Sequence, residues 1–72
     1  MSYNDRLREL REDNDLSQET VSKLLQTTQS YYAKYENGKH DLPIKHLITL
    51  CLYYRVSADY VLGLPKGLTW PR

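Results

Sequence analysis

Apolar residues recur along the chain at the three- and four-residue spacing of amphipathic helices. Leu7 and Leu10 lie in a segment rich in Arg and Glu, which predicts a first helix over about residues 4–14. Ser17 is a suitable N-cap for a second helix over residues 18–25. We therefore expect a chain that begins with two helices joined by a short turn.

Three further helices are predicted. Thr28 caps a third helix that runs to Asn37, where Gly38 supplies a left-handed helix end at little steric cost. A fourth helix begins around Pro43, and Ser57 caps a short fifth helix that ends at Gly63. The fourth helix has the widest apolar stripe, so we expect it to be the central core helix. That stripe consists of Ile44, Leu47, Ile48, Cys51, Leu52 and Tyr54.

The predicted fold class is all-α, a compact five-helix domain. Residues 1–63 would form this domain, because no β-strand alternation or internal repeat interrupts the helical pattern. Residues 64–72 contain two prolines and one glycine and cannot continue as a regular helix, so we expect an extended C-terminal tail.

The second and third helices are separated by only two residues, as in a helix-turn-helix pair. On the third helix one face carries Tyr32, Tyr35 and Glu36, and the opposite face carries Ser30, Lys34 and Asn37. The free face is mostly short, uncharged and rich in hydrogen-bonding groups, as contact with base edges in a major groove requires. The alternative is an ordinary solvated polar face.

Charge is distributed unevenly. The chain has 72 residues and a net charge of +1, which by itself gives weak support for a nucleic-acid partner. The first 20 residues hold three basic and six acidic side chains, whereas residues 21–72 hold seven basic and three acidic ones. The positive field therefore lies in the middle and end of the chain. A chain this short has little room for a catalytic pocket, so we do not expect an enzyme.

Composition also limits the cofactors and the compartment. The single Cys51 excludes an intramolecular disulfide and favours an inert core thiol. The spacing of His40 and His46 matches no zinc pattern, so we expect no metal site. We also expect no other cofactor and no small-molecule ligand. We expect no membrane segment or signal peptide, and hence a cytoplasmic protein.

Four sequence blocks resemble the Cro/repressor family of helix-turn-helix regulators, in its XRE-like branch. They are Arg6-Leu7-Arg8-Glu9-Leu10-Arg11, Leu16-Ser17-Gln18-Glu19, Tyr35-Glu36-Asn37-Gly38-Lys39 and Val56-Ser57-Ala58-Asp59-Tyr60-Val61-Leu62-Gly63. The blocks are in register across residues 6–63. The resemblance implies sequence-specific binding of double-stranded DNA by a transcriptional regulator of bacterial or phage origin, most simply a repressor.

The resemblance also assigns roles to individual residues. It makes Thr28, Gln29, Ser30 and Lys34 the base-reading candidates. The phosphate-contacting candidates are Gln18, Tyr31, Asn37, Lys39, His40 and Lys45, for which simple solvation is the alternative. Arg11 and Glu36 match positions that form a structural ion pair between the first and third helices.

Some residues depart from the family pattern. Gln26 stands at a turn position where the family often has Gly, so it needs a negative φ or must accept the left-handed conformation. Among the seven tyrosines, core-facing positions are expected for Tyr32, Tyr35, Tyr54 and Tyr60, and partial exposure for Tyr31 and Tyr53. An interface is the alternative role for such a tyrosine cluster.

We expect a two-fold dimer on an inverted-repeat operator, because a domain of this size makes few base contacts alone. Its predicted interface is the fifth helix with the tail, through Leu62, Leu64, Leu68 and Trp70. The alternatives are a tail that folds back on its own core or is disordered. A rival function is a protein-interaction module, antitoxin-like, that retains the fold with little DNA affinity.

Overall fold

The computed structural model describes residues 2–64, which contain five α-helices and no strand. The helices are α1 (Tyr3–Asp13), α2 (Gln18–Leu24), α3 (Gln29–Glu36), α4 (Ile44–Tyr54) and α5 (Ala58–Leu62). Each begins within one residue of its predicted start, so the all-α prediction is confirmed. Within these residues no helix is both long and apolar enough to cross a membrane.

Three helices begin at a hydroxyl side chain that caps the first turn. Ser17, Thr28 and Ser57 are the N-caps of α2, α3 and α5, and each side-chain oxygen accepts from the backbone N–H three residues later at 3.1 Å. Such a cap satisfies one of the free N–H groups of the first turn and is worth about 1 kcal/mol. The predicted caps therefore mark the helix starts.

The hydrophobic core draws on all five helices. α3 packs against α1 and α2, and α5 packs against α1 and α4. The buried apolar residues are Leu7, Leu10, Val21, Leu25, Tyr32, Tyr35, Leu50 and Val61. Five of the eight come from α1, α2 and α3, and a sixth, Leu25, is the C-cap of α2, so the centre of the core lies among the first three helices.

The prediction that α4 is the central core helix was wrong. Leu50 is its only fully buried residue, whereas Ile44, Ile48 and Leu52 are 75%, 55% and 75% exposed. Apolar residues cover more of the α4 circumference than the rest of the domain contacts, so the outer part of the stripe faces solvent. Cys51 is half-buried at the edge of that face, and burial raises the pKa of its thiol.

The tyrosines divide between core and surface. Tyr32 and Tyr35 are buried as predicted, and Tyr54 is half-buried. The core-facing prediction for Tyr60 was wrong, since this side chain is 45% exposed. The guanidinium carbon of Arg6 lies 4.3 Å from the centre of the Tyr60 ring, a cation–π contact that covers one ring face from α1.

Candidate nucleic-acid interface

The connection between α2 and α3 is a tight turn centred on Gln26. Leu25 ends α2, and the Thr27 N–H donates to the Ser22 carbonyl at 2.9 Å. Gln26 has a φ of +58°, so it takes the left-handed conformation, the second of the two options that the sequence left open. Only four residues, 25–28, therefore separate α2 from α3, and the two helices pack against each other.

The outer surface of α3 is polar and free. Gln29, Ser30 and Lys34 are all exposed on this helix, while Tyr32 and Tyr35 fix its opposite side in the core. Thr28 precedes them and is also exposed, with its hydroxyl oxygen engaged as the N-cap of α3. The structure thus brings the four predicted base-reading residues together at one end and along one face of a single helix.

Glu36 anchors the opposite side of α3. Its side chain is 1% exposed, and its two carboxylate oxygens accept from Arg11: Nε donates to Oε2 at 2.8 Å and Nη2 to Oε1 at 3.1 Å. Arg11 Nη1 also donates to the Leu16 carbonyl at 2.9 Å, in the turn between α1 and α2. One bidentate ion pair therefore ties α3 to α1 and to the start of α2.

Gln18 also reaches Glu36. Its side-chain Nε2 donates to Glu36 Oε1 at 3.2 Å, so in this structure the amide faces the carboxylate of α3. Gln18 is half-buried at the first position of α2. The structure therefore gives Gln18 a positioning contact, and its role as a phosphate contact stays a prediction.

Two further α1 side chains hold the C-terminal end of α3, and the sequence did not single them out. Asn4 Nδ2 and Arg8 Nη2 both donate to the Glu36 carbonyl, at 3.2 and 3.4 Å. Arg8 Nε also lies 3.9 Å from Glu36 Oε1. Asn4, Arg8 and Arg11 are spaced four and three residues apart on α1, and this shared helix face is the signal that could have identified them.

This network sets the protonation state of its members. Burial alone would raise the pKa of Glu36, but hydrogen bonds from Arg11 and Gln18 outweigh it and hold the pKa below its ordinary value. Burial, together with the neighbouring Glu36 carboxylate, raises the pKa of the Tyr32 hydroxyl. The site consequently holds a buried carboxylate anion whose charge is matched by Arg11.

The segment after α3 folds back onto the free face. The backbone N–H groups of Lys39 and His40 both donate to the Lys34 carbonyl, at 2.9 and 3.2 Å. The His40 ring stacks on Tyr31, with centroids 5.1 Å apart and planes at 11°, and Lys34 Nζ lies 5.7 Å from the Tyr31 ring centre. Tyr31, Lys34 and His40 therefore form one exposed cluster, a grouping that the sequence did not reveal.

The remaining phosphate candidates border the same region. Asn37 is the C-cap of α3 and is exposed, as is Lys39. Lys45, in the first turn of α4, lines a shallow cleft of about 390 Å³ together with Gln26 and Thr27 of the turn. This cleft places the Lys45 side chain beside the α2–α3 connection, although α4 is far from α3 in sequence.

A family model described as a helix-turn-helix domain matches residues 4–66. The chain belongs to this helix-turn-helix domain family. The predicted resemblance to helix-turn-helix regulators is therefore confirmed. In the helix-turn-helix pair defined here, α2 is the first helix and α3 the second, joined by the Gln26 turn.

Known proteins support the same assignment. The chain is 37% identical over 62 residues to YobD of Bacillus subtilis (strain 168), an HTH-type transcriptional regulator; the match covers 86% of this chain and 55% of YobD. A solved restriction-modification controller protein, C.AhdI of Aeromonas hydrophila, is 28% identical with a TM-score of 0.73, and the match covers 83% of this chain and 87% of that one.

Two more distant structures share the fold. A transcriptional regulator from Listeria innocua has a TM-score of 0.85 at 24% identity, covering 94% of this chain and 64% of its own. The P22 c2 repressor, solved in complex with a synthetic operator, has a TM-score of 0.77 at 20% identity, covering 94% and 98%. The chain thus spans little more than half the length of YobD and just under two thirds of the Listeria regulator.

Two of the four predicted dimer residues, Leu62 and Leu64, lie outside the helix-turn-helix pair. Leu62 and Leu64 are 39% and 38% exposed at the end of α5 and just beyond it. Leu68 and Trp70, predicted to join them, lie outside the described residues. The structure therefore places only half of that predicted surface, and its role stays a prediction.

Proposed function

We propose that the protein binds double-stranded DNA in a sequence-specific manner by inserting α3 into the major groove. The observation that carries this proposal is the pairing of an exposed polar face on α3 with a buried ion pair, Arg11 to Glu36, that fixes the orientation of the same helix. Family membership supports the proposal, as does the shared fold of the P22 c2 repressor, which was solved on an operator.

Each base-reading candidate has donor or acceptor groups suited to a base edge. The Gln29 amide can pair with N6 and N7 of adenine, and Lys34 can donate to O6 or N7 of guanine. Thr28 offers its methyl group to the thymine C5-methyl while its oxygen caps α3. Ser30 adds a hydroxyl that donates or accepts on the same face.

Phosphate contacts would surround these base contacts and orient the protein on the duplex. We propose Lys39, Lys45 and His40 as the cationic or protonatable contacts, since they border the α3 face at the loop and the cleft described above. Tyr31 and Asn37 would donate from the α3 surface, and Gln18 from the start of α2. None of these contacts specifies sequence by itself.

The biological role that follows is transcriptional regulation, most simply repression, in a bacterial cytoplasm. A dimer on an inverted repeat would present two α3 helices about one DNA turn, ~34 Å, apart. Bound at a promoter, such a dimer excludes polymerase by occupancy and needs no catalysis. We therefore propose a non-enzymatic homodimeric regulator.

Selection of bound duplexes from a random DNA library tests base reading directly. Wild-type protein should enrich an inverted repeat, and Gln29→Ala should lose the preference at one position in each half-site, a discrimination of roughly 1–3 kcal/mol. Lys34→Ala should relax a different position. Lys23→Ala is the matched control, because it removes one exposed lysine of equal charge from α2. Base reading by α3 would be contradicted if Lys23→Ala lost as much enrichment as Lys34→Ala.

The rival function is a protein-interaction module, which the net charge of only +1 favours. Salt dependence separates the two functions, because each phosphate contact releases a counterion and affinity for DNA then falls steeply with salt. Enrichment of a specific sequence with a steep salt dependence supports DNA binding. Absence of any enriched sequence at low salt would favour the interaction module.

A further inference from the structure

The outer face of α4 is apolar, and residues 2–64 leave it exposed. Ile44, Ile48 and Leu52 are 75%, 55% and 75% exposed and recur every four residues. At 3.6 residues per turn, Ile44 and Leu52 point within roughly 40° of Ile48 on either side. We call these three residues the α4 stripe. A continuous exposed stripe of large aliphatic side chains on a small domain marks an interaction surface.

Opposite charges flank α4 in the sequence. Asp41 lies three residues before Ile44, in the loop that leads into the helix, and Arg55 is the C-cap, so each is seven residues from Ile48 along the chain. Both are exposed, and neither forms an ion pair within residues 2–64. The arrangement of acid, apolar stripe and base is complementary to itself when a second copy runs in the opposite direction.

We propose that the α4 stripe binds the α4 stripe of a second copy of this chain, with the two helices antiparallel and the two-fold axis at Ile48. Ile44 of one protomer then lies opposite Leu52 of its partner, and Asp41 opposite Arg55. The pairing deepens the proposed function, on which it rests for its biological role, by naming the surface that forms the dimer.

The charges select this register over its alternatives. A parallel two-fold pairing would place Asp41 against Asp41 and Arg55 against Arg55, and like charges in contact oppose association. A shift by one helical turn would leave one Ile or Leu of each copy without a partner. The antiparallel pairing centred on Ile48 satisfies both the apolar and the charged positions, as an isologous interface must.

Disulfide cross-linking tests the predicted axis. Helices whose axes lie about 10 Å apart bring the two Cα atoms of a residue on the two-fold axis to roughly 5 Å, because each Cα lies about 2.3 Å from its own helix axis. A Cα–Cα distance of roughly 5 Å is within the range of a disulfide. Ile48→Cys in a Cys51→Ser background should therefore form a covalent dimer under mild oxidation. Leu62→Cys in the same background is the control, since it probes the competing α5 surface.

We expect the Ile48→Cys variant to cross-link at least tenfold faster than the Leu62→Cys variant. Equal rates, or faster cross-linking at residue 62, would overturn the α4 pairing. The pairing would also be overturned if the wild-type chain sediments as a monomer and Ile48→Cys fails to cross-link at the same protein concentration. That result is expected if residues 65–72 of the same chain cover the α4 stripe.

A charge swap tests the register. Arg55→Asp should shift the sedimentation equilibrium towards monomer, because it sets two acids against each other; Asp is tolerated at the left-handed φ of +59° at this position. Asp41→Arg should do the same, and the double variant Asp41→Arg/Arg55→Asp should restore the dimer. Circular dichroism checks that each variant is folded. A double variant as monomeric as the single ones would overturn the proposed register.

The failure of this inference is distinguishable from the failure of the proposed function. Cross-linking and sedimentation are measured without DNA, whereas the library selection uses wild-type protein and α3 variants. An enriched DNA sequence with no α4 cross-link overturns only the α4 pairing. A clean α4 cross-link with no enriched sequence at low salt overturns only the DNA-binding proposal.

Discussion

The inner side of α3 and the outer side of α4 invert the usual distribution of polar and apolar residues. α3 buries a carboxylate, Glu36, that is 1% exposed, whereas α4 leaves two residues, Ile44 and Leu52, 75% exposed. Glu36 accepts five hydrogen bonds. Its carboxylate accepts three, two from Arg11 and one from Gln18, and its backbone carbonyl accepts one each from Asn4 and Arg8. Residues 2–64 leave Ile44 and Leu52 largely uncovered.

The comparison separates a helix whose orientation is fixed by internal contacts, α3, from a helix whose outer face those contacts leave exposed, α4. A bidentate ion pair with additional donors holds α3 at one angle to α1, and a buried charge tolerates few other arrangements. Residues 2–64 place no such constraint on the α4 stripe, whose side chains they leave exposed. The orientation of α3 is thus fixed by contacts inside the described domain, whereas the α4 stripe is the surface that we propose for association.

The largest effect is expected from breaking the α3 anchor. Glu36→Ala leaves the guanidinium of Arg11, which is 13% exposed, without its anion, and losing one partner of such a buried pair costs about 3–5 kcal/mol. Urea unfolding followed by circular dichroism measures the loss. Glu12→Ala, an exposed glutamate on the same helix as Arg11, should change stability by less than ~0.5 kcal/mol. Similar losses in the two variants would show that the network does not anchor α3.

A second test compares two leucines on α4. Leu50 is fully buried, so Leu50→Ala should cost about 2–5 kcal/mol of unfolding free energy through lost burial and a cavity. Leu52 is 75% exposed, and Leu52→Ala should cost under ~0.5 kcal/mol when unfolding is measured at low protein concentration, where association contributes little. Comparable losses at both positions would contradict the one-sided burial of α4.

The pH dependence of stability offers a finer test of the Glu36 anchor. Because the folded pKa of Glu36 lies below its ordinary value of 4.5, the unfolded chain binds more protons between the two values. The stabilisation by this group is fully present above pH 4.5 and is lost as the pH falls through the folded pKa. Glu36→Gln should therefore lose less unfolding free energy than wild type between about pH 7 and pH 3.

The matched variant for this titration is Glu12→Gln, since Glu12 is exposed and forms no ion pair within the described residues. It should keep the wild-type decline of stability in acid. An identical acid decline in wild type and Glu36→Gln would show that the Glu36 carboxylate is not stabilised as an anion in the fold.

Most helix boundaries could be predicted from local sequence signals, whereas the burial of α4 could not, for a physical reason. The caps Ser17, Thr28 and Ser57 act within one helical turn, so single residues located the helix starts. The apolar stripe of α4 indicated a direction of burial but not its extent, because the covered area depends on how α1, α3 and α5 pack.

Contacts to the backbone and between distant side chains were also hidden in the sequence. Asn4 and Arg8 donate to the carbonyl of Glu36, an acceptor that every residue possesses, so no residue type pointed to it. Tyr31 meets His40 only because the chain turns back after α3 and its N–H groups bond to the Lys34 carbonyl. The exposed polar face of α3 was predictable because it lies within one helix.

The smallest expected effect concerns the turn that joins α2 to α3. Gln26 has a φ of +58°, where a side chain carries a steric cost that glycine avoids, and the family resemblance favours Gly at this position. Gln26→Gly should raise the free energy of unfolding by about 1 kcal/mol or less, since relief of the steric cost is partly offset by the greater freedom of glycine in the unfolded chain. Lys23→Gly, inside α2 at a helical φ, should instead lower it by about 1 kcal/mol. If both substitutions destabilise equally, the left-handed conformation of Gln26 carries no steric cost that glycine relieves.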